Sequence, residues 1–388
     1  MLFCWGGMSH IDTWDMKPDA GSDVRGEFHP ISTSAADIQI CEHMPRLAQR
    51  ISHLAIVRSM HHLATDHRAA GYWNLTGHAP RLLSAPAIMP SRDDWPSLGA
   101  MAAHAFAERL KRSGMPGSVS IPYPIADRGL LNGQFAGMLG ADYDPVYVKP
   151  TAARQFDGVS PETGQLALDP LPDLGPDRLA ARQSLLGKLD NGGALRRVAA
   201  AESFGAMEQY QAKALEMLAG RGVREAFDLE REPAAIRAMY GDHICGRSVL
   251  LARRLTDAGI PLAVVYCSAG DLNGSAGSHW DTHVQNFQRL RNDMLPPLDQ
   301  ASAALLDDLT ATGRLDETLV VWLTEFGRTP KINGGAGRDH YPNCYSAALA
   351  GAGVRGGQVY GRSDAIGAEP ADDPCGPEHL HATIFRAL

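Results

Sequence analysis

Five short polar clusters carry the side chains that could do chemistry in this 388-residue sequence. The first, Gly6-Gly7-Met8-Ser9-His10-Ile11-Asp12, follows an apolar opening run. Its glycines permit a tight turn and a close backbone approach. His10 and Asp12 offer an imidazole and a carboxylate to a metal, while Ser9 and Asp12 could equally cap a short helix. The second, His61-His62-Leu63-Ala64-Thr65-Asp66-His67, runs on to Leu75-Thr76-Gly77-His78. Asp66 and His67 read as an orienting carboxylate with a ligand or a catalytic base, and Thr65 or Asp66 reads as a helix cap. His61 and His62 are adjacent, so in extended chain at most one faces a site.

The third cluster is His279-Trp280-Asp281-Thr282-His283, on a Gly/Ser-rich loop. Asp281 and His283 are two apart, a spacing that puts both on one face of extended chain, where they can grip one cation. The fourth, Thr324-Glu325-Phe326-Gly327-Arg328, follows a very apolar run. Glu325 stands where a strand ends, placed to meet a metal or Arg328. The fifth is Arg338-Asp339-His340. His340 reads as a ligand, and Arg338 as a group able to hold an oxyanion through two parallel hydrogen bonds.

Together the clusters deliver His and carboxylate ligands without thiolates, a composition that suits zinc, manganese or iron. The expected cofactor is one or two divalent ions, zinc first, with manganese, calcium or iron as alternatives. Such an ion activates water and polarises a phosphoryl or sulfuryl oxygen.

Positioning these clusters requires a sheet. Leu2–Trp5, Leu54–Val57, Ser118–Ile121, Leu262–Cys267 and Thr318–Leu323 read as strands buried on both faces. Helical patterns over Met44–Ile51, Trp95–Arg112, Leu179–Gln211, Asp242–Ala258 and Val284–Thr312 lie between them. The alternation predicts an α/β fold, a doubly wound, mostly parallel sheet flanked by helices, with ligands at the carboxyl ends of the strands. Residues 1–388 read as one domain, with a helical cap or insertion over 150–240. The glycine-dense Gly351–Gly361 lacks a P-loop's Lys-Ser/Thr and reads as a turn and hairpin.

Bulk properties exclude some classes. A formal charge of −8 argues against a nucleic-acid partner and against anionic membranes. No apolar run is long enough for a membrane-spanning helix. The six cysteines form no C-x-x-C pair, which excludes a zinc ribbon. The chain opens inside a core strand and ends in an uncapped helix, so further sequence is expected at both ends.

The stretches WGGMSHIDTWDMKPDA, RGEFHPISTS, DHRAAGYWNLTGHAP, HWDTHVQNF and TEFGRTPKINGGAGRDHYPN resemble the domain-of-unknown-function 1501 family, over essentially the whole chain. Members typically carry a twin-arginine signal, which implies a periplasmic or exported protein. The family in turn resembles a remote branch of the alkaline phosphatase and sulfatase superfamily. That resemblance implies a metal-dependent hydrolase of phosphate or sulfate esters, acting on a small-molecule or glycan ester. It implies that Asp281, His283 and His340 bind a first metal and that Glu325 stands for the Asp of an Asp-His-Gly motif. Phe326 then occupies the place of the second metal's His, so a second site is either lost or rebuilt from His10 and Asp12. His67 occupies the place of the nucleophile and reads as nucleophile, ligand or base, with Arg328 or Arg338 for the oxyanion. Two other readings accompany this one: an inactive binding or scaffold protein, and a metal-dependent phosphomutase or transferase.

Overall fold

The computed structural model describes residues 1–83, 89–148, 221–268 and 278–388, with isolated positions 178, 181, 184–185, 210, 217 and 272–273. Eight strands form its main sheet: β1 (Leu2–Phe3), β2 (Leu54–Met60), β3 (Ser118–Ile121), β4 (Val146–Tyr147), β5 (Leu262–Tyr266), β6 (Val320–Leu323), β7 (Tyr345–Ala350) and β8 (Gln358–Tyr360). Their order across the sheet is β8-β2-β7-β6-β1-β5-β3-β4. The short β1 is central, pairing in parallel with β5 and β6 through Leu2↔Val265 and Leu2↔Trp322. Only β7 runs against its neighbours, antiparallel to both β2 and β6. The result is an α/β architecture with a large, mostly parallel, mixed sheet.

Successive residues of each strand enter opposite layers, as the two-residue side-chain period of a strand requires. Leu2, Val265 and Trp322 join one core cluster, while Phe3, Val264 and Val321 join the other. This explains why the strands read as unbroken apolar runs. Further helices are α1 (His67–Thr76), α2 (Leu98–Ala105), α3 (Ile244–Asp257), α4 (Leu295–Ala311) and α5 (Pro377–Ala387). Leu250 and Leu255 of α3 and Leu298 and Leu306 of α4 pack on the first face. Leu75 of α1, Leu98 of α2 and Leu380 of α5 pack on the second.

Several expected elements are redrawn. The single helix expected over Trp95–Arg112 is two, α2 and Ala107–Ser113. The run into α4 contains a π-helical turn at Leu290–Met294, one residue before Pro296-Pro297. A proline has no N–H to donate and crowds the carbonyl four residues back, and the wider turn accommodates both defects. Gly351–Gly361 turns but forms no hairpin with β7. Its strand β8 crosses to the sheet edge and pairs in parallel with β2. Most of the cap expected over 150–240, including the helix expected over Leu179–Gln211, lies outside the described residues. Its described end, Arg221–Phe227 and Ala234–Tyr240, packs against α3. Among the described residues no helix is long and apolar enough to cross a membrane.

Candidate metal centre

The carboxyl ends of β1, β2, β5 and β6 meet at one edge of the sheet, and the polar clusters follow them there. β7 brings a further cluster because it is antiparallel: its amino end lies at that same edge, shortly after His340–Tyr341. His340↔Arg328 and Tyr341↔Gly327 pair in a two-residue ribbon that ties the fourth and fifth clusters together. Glycine permits the close approaches. A Cβ on Gly6 would lie 2.5 Å from the Asp281 nitrogen, and Gly6 has φ +116°. One on Gly337 would lie 1.9 Å from the His283 carbonyl oxygen.

At the centre, His67, Asp281 and His340 each present one ligating atom within 4.8 Å of the others. Asp281 Oδ1 lies 3.4 Å from His67 Nε2, 3.3 Å from His340 Nε2 and 3.1 Å from His283 Nε2. His283 Nε2 is also 3.0 Å from His340 Nε2. Ligands about 2.0–2.1 Å from a tetrahedral ion stand roughly 3.3 Å from one another. The separations around Asp281 have that scale.

The far nitrogen of each ring fixes its tautomer. His340 Nδ1 donates to the Thr65 carbonyl at 2.9 Å. His67 Nδ1 donates to Glu325 Oε1 at 2.8 Å, and His283 Nδ1 donates to Asp339 Oδ1 at 2.7 Å. Each ring therefore turns its Nε2 lone pair inward, the arrangement by which acceptors behind metal-bound histidines orient them. His67 Nε2 is buried and has no hydrogen-bond partner. An orphaned buried nitrogen, a carboxylate and two more imidazoles facing one point constitute a donor set that fits a divalent transition ion.

Electrostatics agree with cation binding. Burial disfavours charge on His67, but the Asp281 and Glu325 carboxylates outweigh it and raise its pKa to about 9. Burial likewise opposes the charge on Asp281, yet the imidazoles of His283, His340 and His67 around it, with Arg328 beside it, hold the carboxyl far below its usual range. With no ion bound, the carboxylates favour a proton on His67 and Asp281 favours one on His283, whereas burial lowers the pKa of His340. Trp5 and Phe326 wall it, their rings 5.5 Å and 4.9 Å from that of His67.

Some expected roles change. Asp66 does not orient His67. It is the N-cap of α1, accepting from Arg68 N at 2.9 Å, and Glu325 takes the place expected for it. Glu325 stands behind His67, also accepting from Gly6 N at 2.8 Å, so it supports the ligand shell from outside. Arg328 is fully buried; it donates to the carbonyls of Gly6, Gly7 and Arg338 and, at 2.6 Å, to Asp281 Oδ1. It clamps the carboxylate and is not poised for an oxyanion. Arg338 is oriented away from the centre, with all three nitrogens engaged by Asp12, Val24, Thr329 and Pro330. Asp12 accepts from Ser9, Asn286 and Arg338. His10 Nε2 bonds to the Gly367 carbonyl at 2.8 Å. Asp12 therefore belongs to a buried network and His10 is held by a backbone carbonyl, and neither joins the His67–Asp281–His340 group. His62, hydrogen-bonded to the Glu325 carbonyl at 2.7 Å, is likewise a support. Sequence reasoning missed Asp339 as the partner of His283, although its place beside His340 was a usable clue.

A family model described as "Protein of unknown function (DUF1501)" matches residues 1–388. The chain belongs to this family. No curated protein matches it. Among solved structures, the DUF1501 chain is similar to Ps i-CgsB in complex with k-i-k-neocarrahexaose, with a TM-score of 0.41 and 10% identity, covering 100% of this chain and 70% of that one. A second structure of Ps i-CgsB gives a TM-score of 0.37 at 10% identity, covering 100% and 76%.

Proposed function

We propose that this DUF1501 protein is a metal-dependent hydrolase of phosphate or sulfate esters. The observation that supports the reading is the inward convergence of His67 Nε2, Asp281 Oδ1 and His340 Nε2, each tautomer set from behind. These three residues would hold a divalent ion, with His283 as a fourth donor at the solvent side, its side chain 44% exposed. When bound, the ion supplies an electrophile for an ester oxygen and acidifies a water.

The remaining work falls to the chain. Glu325 keeps the His67 ring from rotating by holding Nδ1–H and the Gly6 amide together. Arg328 fixes Asp281 in one rotamer and offsets its charge, so the carboxylate remains ionised in a buried place. Trp5 and Phe326 exclude water from the inner wall, which strengthens every charge interaction there. Asp339 aligns His283 at the rim, where an ester would enter. His67 serves here as a ligand. In the alkaline-phosphatase-like arrangement it would have been the nucleophile, but its Nε2 faces the other donors.

Assay of the zinc- or manganese-reconstituted chain on phosphate and sulfate monoesters tests the reading. Turnover that disappears with chelator and in Asp281→Ala is expected; no turnover with any ester in a metal-loaded chain would overturn it. The saturation of both Arg328 and Arg338 favours a second reading, a metal-binding scaffold without turnover, and that same outcome would select it.

A further inference from the structure

Helix α1 grips the turn after β6 at two points. His67 Nδ1 donates to the Glu325 carboxylate at 2.8 Å, and Asn74 Nδ2 donates to the Glu325 carbonyl at 2.8 Å. At 3.6 residues per turn, positions 67 and 74 lie on one face of the helix, nearly two turns apart. Asn74 is fully buried. Its Nδ2 also donates to the Ala70 carbonyl at 3.1 Å, and its Oδ1 accepts from the Tyr345 hydroxyl at 3.0 Å. Two carbonyls can only accept, so this network fixes which way the amide faces.

An asparagine inside a helix is a poor helix former, and a buried amide is costly unless its polar atoms find partners. The bond to Ala70 stays within the helix; the bond to Glu325 leaves it and reaches the residue behind His67. A second group holds the same carbonyl: His62 Nε2, at 2.7 Å. The Glu325 carboxylate in turn accepts from Gly6 N and His67 Nδ1, both at 2.8 Å. Carbonyl and carboxylate belong to one short residue, so pinning the first limits where the second can reach.

We propose that Asn74 is a positioning residue for the metal centre. Through the main chain of Glu325 it sets the aim of the carboxylate that orients the His67 ring, and Tyr345, the first residue of β7, sets the aim of Asn74. The relay Tyr345–Asn74–Glu325–His67 ends at the ring nitrogen that faces Asp281. This role rests on the metal-centre reading.

Zinc affinity and the visible spectrum of the cobalt-loaded full chain test it in wild type, Asn74→Leu, Tyr345→Phe and Leu98→Ala. The last is a control that opens the core layer containing Leu75 without touching the relay. Asn74→Leu keeps the bulk of the side chain and removes the donor. The expected result is a loss of zinc affinity of about tenfold or more and a shifted cobalt band. Tyr345→Phe gives a smaller change in the same direction, and it carries the test alone where Asn74→Leu does not fold. Leu98→Ala lowers the unfolding midpoint and leaves affinity and band unchanged. Wild-type affinity and spectrum in a folded Asn74→Leu chain, or in Tyr345→Phe where that chain does not fold, would overturn the proposal while leaving the metal reading. The same changes in Leu98→Ala would also overturn it, since lost stability would then explain them. A wild type that takes up neither zinc nor cobalt would overturn the metal reading and this role with it.

Discussion

Two aspartates, Asp12 and Asp281, each sit in a polar cluster of this edge, each beside a buried arginine, yet they do different things. Asp12 is surrounded by donors: Arg338 at 2.7 and 2.9 Å, Ser9 at 2.6 Å and Asn286 at 2.9 Å. Nothing is left over for a ligand. Asp281 has one buried arginine and then three imidazole Nε2 atoms, each on a ring whose Nδ1 is held by another acceptor. The lesson is that a carboxylate among polar residues is a candidate for function only when its neighbours cannot satisfy it. Donor arithmetic separates the closed network from the open one more sharply than residue type does.

Breaking the closed network has the largest effect expected. Asp12→Ala leaves Arg338 buried and unpaired, a loss of about 3–5 kcal/mol, measured as a fall in denaturant midpoint without a change in slope. Opening the other side reverses the pattern. His340→Ala is expected to lower zinc affinity more than about 100-fold, with the metal-free unfolding midpoint shifted far less than in Asp12→Ala. Titration followed by unfolding of the same samples checks both halves. Glu325→Gln keeps a carbonyl for the His67 ring but removes the charge, and about a 10- to 100-fold weakening of zinc binding is expected. Asp66→Ala sharpens the contrast at the small end. Loss of the α1 cap costs about 0.5–2 kcal/mol of stability and leaves zinc affinity unchanged; a loss of affinity there would return Asp66 to the role of His67's orienting carboxylate.

Much of this was legible because strand ends are abrupt. Wherever an apolar run buried on both faces stops, the next polar residues must lie at the sheet edge, and His67, Asp281 and Glu325 were found in this way. Asp281 and His283 were readable as a pair because two-residue spacing in extended chain puts side chains on one face. The partnerships were not legible. Asp66 and His67 are neighbours in sequence, but a helix N-cap turns its carboxylate toward the amides of its own first turn. Glu325 reaches His67 from another strand altogether, across 258 positions. β7 was obscure for a different reason. Its sequence Tyr-Ser-Ala-Ala-Leu-Ala carries little strand preference, and pairing on both sides with β2 and β6 decides its form. Its antiparallel direction is what brings His340 to the ligand edge, a fact that no local pattern encodes.

Metal content of the purified chain, before and after zinc reconstitution, tests the central claim most directly when wild type and His67→Ala are measured side by side. The account predicts about one tightly held ion per chain in the wild type and its loss in the variant. A wild type that stays metal-free after reconstitution, or a His67→Ala chain that retains the full complement, would contradict it.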